Sequence, residues 1–287
     1  MQQPVAIRSG AGVSIISLLN PASAVRNLAS HWQLARQLAY RELVARYRTS
    51  WLGWTWSVLT PLALLVIYTF VFAVVFNTRW GKSPDEGKAE FALTMFCGML
   101  VFSLFAEVIN RAPSMIVDNP NYVKKVVFPL ETLVVSGLLV ALFNLLVGTV
   151  VWLVGWLLIK QAPPPITLLW LAIVLPPVCL TTVGLGWVLA SLGVFVRDLS
   201  HAVVLGTQIL FFATPIFYSL DRVPEFFRGW MMLNPLTHAV VNARKVMMYN
   251  ELPDFVYLSI SFAVSIALAL LGYAFFMKSK RAFADVI

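Results

Sequence analysis

The chain carries little charge for its size. Only 12% of its 287 residues are Asp, Glu, Lys or Arg, about half the share that is usual in soluble domains, while 60% are hydrophobic. A single soluble core cannot easily enclose so much apolar side chain at this length, and a disordered chain has far less of it. The composition therefore predicts an integral membrane protein with several spans.

The sequence also lacks catalytic and metal-binding patterns. Cys97 and Cys179 lie in apolar runs without disulfide or metal spacing, which predicts two small buried thiols. His31, His201 and His238 are scattered, and no set of Ser, His and Asp can be assembled from the pattern. There is no GxxxxGK[ST] loop, so the chain does not bind nucleotide phosphates in that way. We expect no cofactor in this chain.

Few ionisable residues interrupt the apolar runs. An ion-driven carrier usually shows carboxylates or broken helices at mid-membrane, and neither is clear here. Glu107 and Arg111 stand four residues apart at the end of an apolar run, which predicts a local ion pair on one helix face. If the protein transports a substrate, the energy comes from a partner.

Helices are the expected spanning form, because lipid offers no partners to free N–H and C=O groups. A helix needs about 20 apolar residues to cross the hydrocarbon layer. Six segments are predicted as spans, the second being short and the fifth containing Pro215: 56–76, 91–109, 132–159, 166–196, 202–220 and 255–277.

The basic residues set the orientation of these spans. With the N-terminus inside, the inner segments hold thirteen basic and six acidic residues, against eight and seven outside. Because cytoplasmic loops are rich in Lys and Arg, this pattern predicts that both termini are cytoplasmic. The net charge of +8 therefore records orientation, and we expect no nucleic-acid partner.

Residues 30–50 are predicted to form an amphipathic helix along the cytoplasmic membrane surface. Ala39, Leu43 and Tyr47 share one stripe of the helical wheel with Trp32. The helix is either a plain surface anchor or a lever that also touches a cytoplasmic partner, and the sequence favours neither. The residues assigned to this interface helix are Trp32, Arg36, Arg41, Arg46 and Arg48.

The loop 110–131 contains a helix-start signal. Asp118 and Asn119 stand just before Pro120, which suits the first position of a helix, and Pro129 limits the turns that follow. The pattern predicts a short stiff helix on the cytoplasmic surface between two spans. On spacing alone, a capped turn with a solvated Lys124–Lys125 pair is the favoured alternative.

The outer segment 221–254 is apolar but interrupted. Its pieces are too short to span, and runs of this kind usually form interfacial or re-entrant helices, here broken at Asn234–Pro235. The pair of short helices either gates the outer mouth of a pathway or anchors the bundle as an aromatic belt. The candidate gate residues are Phe226, Phe227, Trp230, Asn234 and Pro235.

Two spans carry aromatic stripes at helical spacing. Such stripes more often pack against lipid or neighbouring helices than line a pathway. Aromatic faces nevertheless stack on sugar rings, and a glutamine beside them suits hydroxyl groups. The candidate residues of a translocation path are Tyr68, Phe72 and Phe76 in the first span and Gln208, Phe211, Phe212 and Tyr218 in the fifth.

Five blocks of sequence resemble, in order, the type-2 ABC transporter permeases that export polysaccharides. They are RELVARYRTSWLGWTW at 41–56, IVDNPNYVKKVVFP at 116–129, VRDL at 196–199, TPIFY at 214–218 and LNPLT at 233–237. The resemblance runs from about residue 31 to the end. It divides the chain into an N-terminal cytoplasmic extension, 1–30, and a transmembrane domain, 31–287.

The resemblance implies an all-α fold of the type V exporter kind. It has six transmembrane helices, an N-terminal amphipathic interface helix, a cytoplasmic coupling helix and periplasmic re-entrant helices. It also implies a homodimer with two ABC ATPase subunits, which bind the ATP and Mg. The residues that the family pattern assigns to ATPase coupling are Asp118, Asn119, Pro120, Asn121, Tyr122, Lys124 and Lys125.

The function expected from this resemblance is transport. The chain is the permease subunit, not an enzyme, of an ATP-driven exporter that moves a lipid-linked polysaccharide (O-antigen of lipopolysaccharide, capsule or similar) across the bacterial inner membrane. Membrane lipids and periplasmic export proteins are further expected partners. The alternatives are a membrane-embedded glycan or lipid enzyme, testable by activity of the lone chain, and an ion-coupled carrier, testable by ATP-independent uptake.

Overall fold

The computed structural model describes residues 20–48, 51–76, 87–124 and 128–287, and every regular element within them is helical. Lys125 and residues 1–19 lie outside this part of the chain. The α-helices, in chain order, are α1 Pro21–Ser30, α2 Trp32–Arg48, α3 Trp56–Thr69, α4 Lys88–Arg111, α5 Pro120–Lys124, α6 Glu131–Lys160, α7 Leu171–Phe195, α8 Leu199–Ala213, α9 Glu225–Met232, α10 Pro235–Met248, α11 Phe255–Ser279 and α12 Phe283–Val286.

Five helical stretches of the described chain are long and apolar enough to cross a membrane. They are Gly53–Val75, Lys88–Ser114, Glu131–Lys160, Ile166–Phe195 and Phe255–Val286. They include α3, α4, α6, α7 and α11 with their adjoining turns. The all-helical membrane fold predicted from composition is therefore confirmed.

The fifth predicted span differs from the expected segment 202–220. Helix α8 ends at Ala213, because Thr214 precedes Pro215 and takes an extended conformation with φ −89° and ψ 137°. Residues 214–219 then run without helix to a short 3₁₀ turn at Leu220–Arg222. The helix has 15 residues, fewer than the roughly 20 that span a bilayer, so a sixth crossing stays a prediction.

Helix α4 forms the centre of the bundle. Nearly all its residues from Phe91 to Ile109 are buried, and helices α3, α6, α7, α8 and α10 contact it. Helices α7 and α11 also lie very close, because a Cβ atom on Gly272 would come within 2.1 Å of the Gly184 carbonyl oxygen. Small residues at such crossings let helix backbones approach in membranes.

Helix α1 lies in the segment 1–30, which the sequence analysis predicted as an extension outside the transmembrane domain. Its Asn27 amide donates to the buried Glu131 carboxylate of α6 and to the Tyr273 hydroxyl of α11, both at 2.8 Å. Lys280 donates to the other oxygen of Glu131 at 2.8 Å. The described part of the extension is therefore bonded to the transmembrane bundle, a contact that no sequence pattern indicated.

Candidate functional site

The interface helix α2 has the predicted amphipathic form. It packs on α6 with Ala39, Leu43 and Tyr47 buried, while Arg36 and Arg48 are exposed. Trp32, which the helical wheel placed on the same stripe, is 47% exposed instead. The buried face turns toward the bundle, so the exposed face is free to meet lipid or a partner.

A charge network joins α2 to α4 and α6. Arg46 on α2 donates to Glu107 on α4 at 2.6 Å, and Asn144 on α6 donates to both oxygens of the same carboxylate at 2.9 and 2.8 Å. Arg111 on α4 pairs with Glu42 on α2. The predicted local pair of Glu107 with Arg111 is thus replaced by two pairs that cross between helices, because α2 lies beside α4 and offers the opposite charges.

The Arg46 guanidinium keeps its positive charge in this network. Burial lowers the pKa of the Arg46 guanidinium, but the hydrogen bond and charge of Glu107 outweigh this effect and the pKa is raised. The side chains of both partners are partly exposed, and such pairs stabilise a protein by roughly 0–1 kcal/mol each. Their main effect is therefore to fix the position of α2 against α4.

The short helix predicted after Asp118 is present as α5. The Asn119 amide donates to the Met115 carbonyl at 2.9 Å and so closes the turn before the helix. Asp118, Pro120 and Asn121 are exposed. They form a small free surface at the tip of the loop, which suits docking of another protein.

Helix α5 is held against the interface helix. Arg41 donates to the Tyr122 hydroxyl at 2.7 Å, and the Tyr122 ring stacks on Phe128 with centroids 4.3 Å apart. Lys124 donates to the backbone oxygen of Ile287 at 2.5 Å, whereas Lys125 lies outside the described residues. The helix is therefore connected both to α2 and to the end of the last helical stretch.

The two aromatic stripes meet in one cluster. Phe217 is 2% exposed and stands at its centre, stacked on Phe72 at 4.5 Å and near Tyr68 at 5.2 Å and Phe211 at 5.1 Å. Phe217 was not among the predicted path residues. The missed signal is its place after Pro215, where the end of α8 turns the chain back toward α3.

The other predicted path residues lie around this cluster. Phe76 contacts Phe72 at 5.8 Å, and Phe212 contacts Phe217 at 5.9 Å. The Tyr218 hydroxyl donates to the Phe212 carbonyl at 2.7 Å, and Gln208 is exposed. The stripes therefore form packing contacts within the chain and leave an exposed aromatic edge along α3 and α8.

The outer segment forms two helices, as predicted, and breaks at Asn234. The side-chain oxygen Oδ1 of Asn234 accepts from the Leu236 N–H at 3.0 Å and caps α10, while the side-chain amide nitrogen donates to the Thr214 hydroxyl at 3.1 Å. Phe226, Phe227 and Trp230 on α9 are all exposed. Their exposure fits an outer gate and an aromatic belt equally well.

A buried arginine links α10 to the residues that follow α8. From the sequence alone, this residue counts only among the basic residues of the predicted outer segments. Arg244 on α10 is 4% exposed and donates to the carbonyls of Pro215 and Ile216, both at 2.6 Å. It also donates to the Thr94 carbonyl on α4 at 3.1 Å. A Cβ atom on Gly98 would lie 2.8 Å from the guanidinium, so glycine leaves the room that it needs.

These features define a class of protein before any comparison. The helices are long enough to span a membrane several times, and no group of three His, Cys, Asp or Glu within the described residues is placed to hold a metal. The chain is a multi-pass helical membrane protein.

The chain belongs to the ABC-2 type transporter family, whose pattern it matches over residues 33–248. It is 28% identical to the O-antigen export system permease protein RfbA of Klebsiella pneumoniae, covering 91% of this chain and 97% of the relative. The protein of the same name from Myxococcus xanthus is 30% identical, covering 92% and 98%. The polysialic acid transport protein KpsM of Escherichia coli is 23% identical, covering 85% and 93%.

Permeases of this family work with ATPase subunits in export systems. The sequence resemblance is therefore confirmed at the level of family and of transporter subunit. The aromatic, coupling and gate residues keep the status of predictions, because the family match assigns no role to single residues.

Proposed function

We propose that the chain is the permease subunit of an ATP-driven exporter that carries a lipid-linked polysaccharide, such as O-antigen or a capsule chain, out across the inner membrane. The observation that carries this proposal is the similarity to polysaccharide export permeases over about nine-tenths of the chain. The lack of a phosphate-binding loop supports a division of labour in which separate subunits bind ATP and Mg.

The working unit contains two copies of this chain and two ATPase subunits. None of the residues of α3 is buried, and Thr207 alone is buried in α8. A span that buries so little on its own chain leaves faces on which a second copy packs. The aromatic edge of α3 and α8 then lies beside that second copy, and neutral aromatic faces there let sugar rings slide past.

The coupling helix is α5, and it transmits ATPase motion to α2 through the bond between Arg41 and Tyr122. Both termini lie in the cytoplasm, α9 and α10 lie at the periplasmic mouth, and periplasmic export proteins receive the glycan there. The bias of basic residues toward the inner segments supports this orientation.

The experiment is deletion and co-expression. Deleting the gene should remove the polysaccharide from the cell surface and leave lipid-linked chains inside, and the wild-type chain should restore export. Co-expression with the ABC ATPase subunit of the export system should yield a complex that hydrolyses ATP. Unchanged surface polysaccharide together with no complex would overturn the proposal.

A further inference from the structure

A cavity of about 490 Å3 lies between α2, α3, α4 and α6. This volume is within the roughly 300–1,000 Å3 range of small-molecule sites. It is separate from the aromatic cluster, since none of the rings in that cluster lines it. The cavity has two chemically different ends, and each end restricts what can bind there.

One end is polar and carries both charges and rings. Glu107 and Arg46 form their ion pair in its wall, with the Asn144 amide bonded to the same carboxylate. Tyr47 and Trp56 line the same region from α2 and the start of α3. Carboxylate, amide and guanidinium groups bind hydroxyls, and aromatic faces pack against sugar or glycerol carbons.

The charges at this end balance one another. Of these charged groups, Arg46 and Glu107 line the cavity, and behind its wall they join Glu42 and Arg111 in a network of two positive and two negative groups. A bare phosphate ion gains no net attraction from such a set. Hydroxyl groups suit it better, because they can donate to the carboxylates and accept from the guanidinium groups.

The other end is apolar. Leu64 lines it from α3, Met99 and Leu100 from α4, and Leu145 from α6, with Gly148 also in the wall. A Cβ atom on Gly148 would come within 2.2 Å of Leu100, so glycine here lets that leucine lie flat against α6. Water needs two to four polar partners to be held in a cavity, and these side chains offer none. Hydrocarbon is the natural filling.

We propose that this cavity binds one membrane amphiphile. Its hydrocarbon chain lies along Leu64, Met99 and Leu145, and its hydroxyl-bearing head group rests against Glu107 and Asn144. Entry is from the bilayer, since Leu64 and Ser103 are exposed where they line the cavity. Two sources share this chemistry: a glycerolipid of the membrane, or the lipid-linked glycan, and the second source rests on the proposed function.

The site also explains the position of the charge network. A head group that bonds to Glu107 touches the same carboxylate that holds α2 through Arg46. Helix α2 also contacts the coupling helix through the bond between Arg41 and Tyr122. A shift of α2 on occupancy of the cavity would therefore move the surface that meets the ATPase. Binding of the amphiphile can therefore change the position of α2 and, through it, the helix that meets the ATPase.

The test is photo-labelling of the complete permease–ATPase complex in nanodiscs. One arm uses a phosphatidylglycerol with a diazirine in its acyl chain, and the other uses a polyprenyl-linked sugar with a diazirine in its lipid. We expect label on peptides that contain Leu64, Met99 or Leu145. Labelling by one probe identifies the source, and labelling of these peptides by neither probe overturns the site.

Two variants fill the cavity from opposite walls, Ser103→Phe on α4 and Thr60→Phe on α3. Either should reduce labelling of these peptides about tenfold, the effect of losing one decade of affinity. The matched control is Leu146→Phe, which adds the same ring to a residue of α6 that is 60% exposed outside the cavity. It should label like the wild type.

The outcomes separate this inference from the proposed function. If Ser103→Phe and Thr60→Phe both form the complex and label as strongly as the control, the label reflects lipid exposure and the site falls, whatever happens to export. If labelling depends on the cavity but deletion leaves surface polysaccharide unchanged, the site stands and the proposed function falls.

Discussion

At the scale of single residues, Arg244 is buried and held by hydrogen bonds to three carbonyl groups. A buried guanidinium is costly unless its donors are satisfied, and three backbone carbonyls from two separate segments satisfy this one. Lysine cannot replace it, because its ammonium is a point charge that does not reach three separated oxygens at fixed angles. Arg244 therefore positions the segment that carries Phe217.

Replacing this arginine should destabilise the protein. We expect Arg244→Met to lose about 2–3 kcal/mol, since hydrogen bonds to a charged group contribute about 1.5–3 kcal/mol and the freed carbonyls stay buried. Thermal unfolding in detergent measures the loss. The control is Lys245→Met, the same change at the next, half-buried residue. Equal unfolding temperatures for the two variants would show that the hydrogen bonds of Arg244 do not stabilise the protein.

At the scale of helices, the network between α2 and α4 should respond to charge reversal. Arg46→Glu places like charges beside Glu107 and should impair export, as should Glu107→Arg beside Arg46. The double variant restores opposite charges and should recover much of the activity, which a double-mutant cycle quantifies. Export no better in the double variant than in the weaker single variant would argue against a direct contact.

Helix α5, the proposed coupling helix, ends at Lys124, and Lys125 follows it in the sequence; export should depend on this basic pair. Replacing Lys124 and Lys125 with alanine should reduce export and ATPase stimulation about tenfold while the protein still inserts, because charged groups at a docking surface speed association and select the partner. Membrane fractionation checks insertion, and ATPase activity of the complex checks coupling. Lys278→Ala, an exposed basic residue on α11, is the control. Normal export and normal ATPase activity in the double variant would show that this basic pair does not couple the permease to the ATPase.

Helix boundaries were predicted well where one residue type decides them. Pro120 starts α5 and Asn234–Pro235 separates α9 from α10, as local rules require. The predicted fifth span, 202–220, extends past the end of α8, because hydropathy alone does not reveal that Pro215 keeps Thr214 out of helical geometry. Contacts between distant segments could not be predicted, because a single sequence does not show which helices are neighbours. The partners of Glu107, for example, lie on α2 and α6.

At the scale of the whole molecule, α3 is the least covered span. Its residues are intermediate or exposed in the single chain, whereas most of α4 is buried. Sequence composition predicted that these helices enter the membrane but not which of them lies inside the bundle, since both are uniformly apolar. In the proposed dimer, the face of α3 that one copy leaves open packs against the other copy.

This arrangement predicts a cross-link between two copies. In a background with Cys97 and Cys179 replaced by alanine, Val66→Cys should form a disulfide-linked pair in membranes, since this α3 residue is 66% exposed. Non-reducing electrophoresis measures it. Leu146→Cys, on the more extensively packed α6, should stay monomeric. Equal cross-linking of the two variants would show random collision rather than a defined interface.

The hydrogen bonds of Arg244 also constrain the order in which the chain can fold during its synthesis. Thr94 leaves the ribosome 150 residues before Arg244, which is roughly 8–30 s at 5–20 residues per second. Throughout this interval the central helix exists without the side chain that joins it to the turn at Pro215, and that turn is itself made only 29 residues before Arg244. The bonds between α4 and the turn at Pro215 therefore form only after residue 244 is made, and a nascent chain stopped before it would hold these two segments without their shared partner.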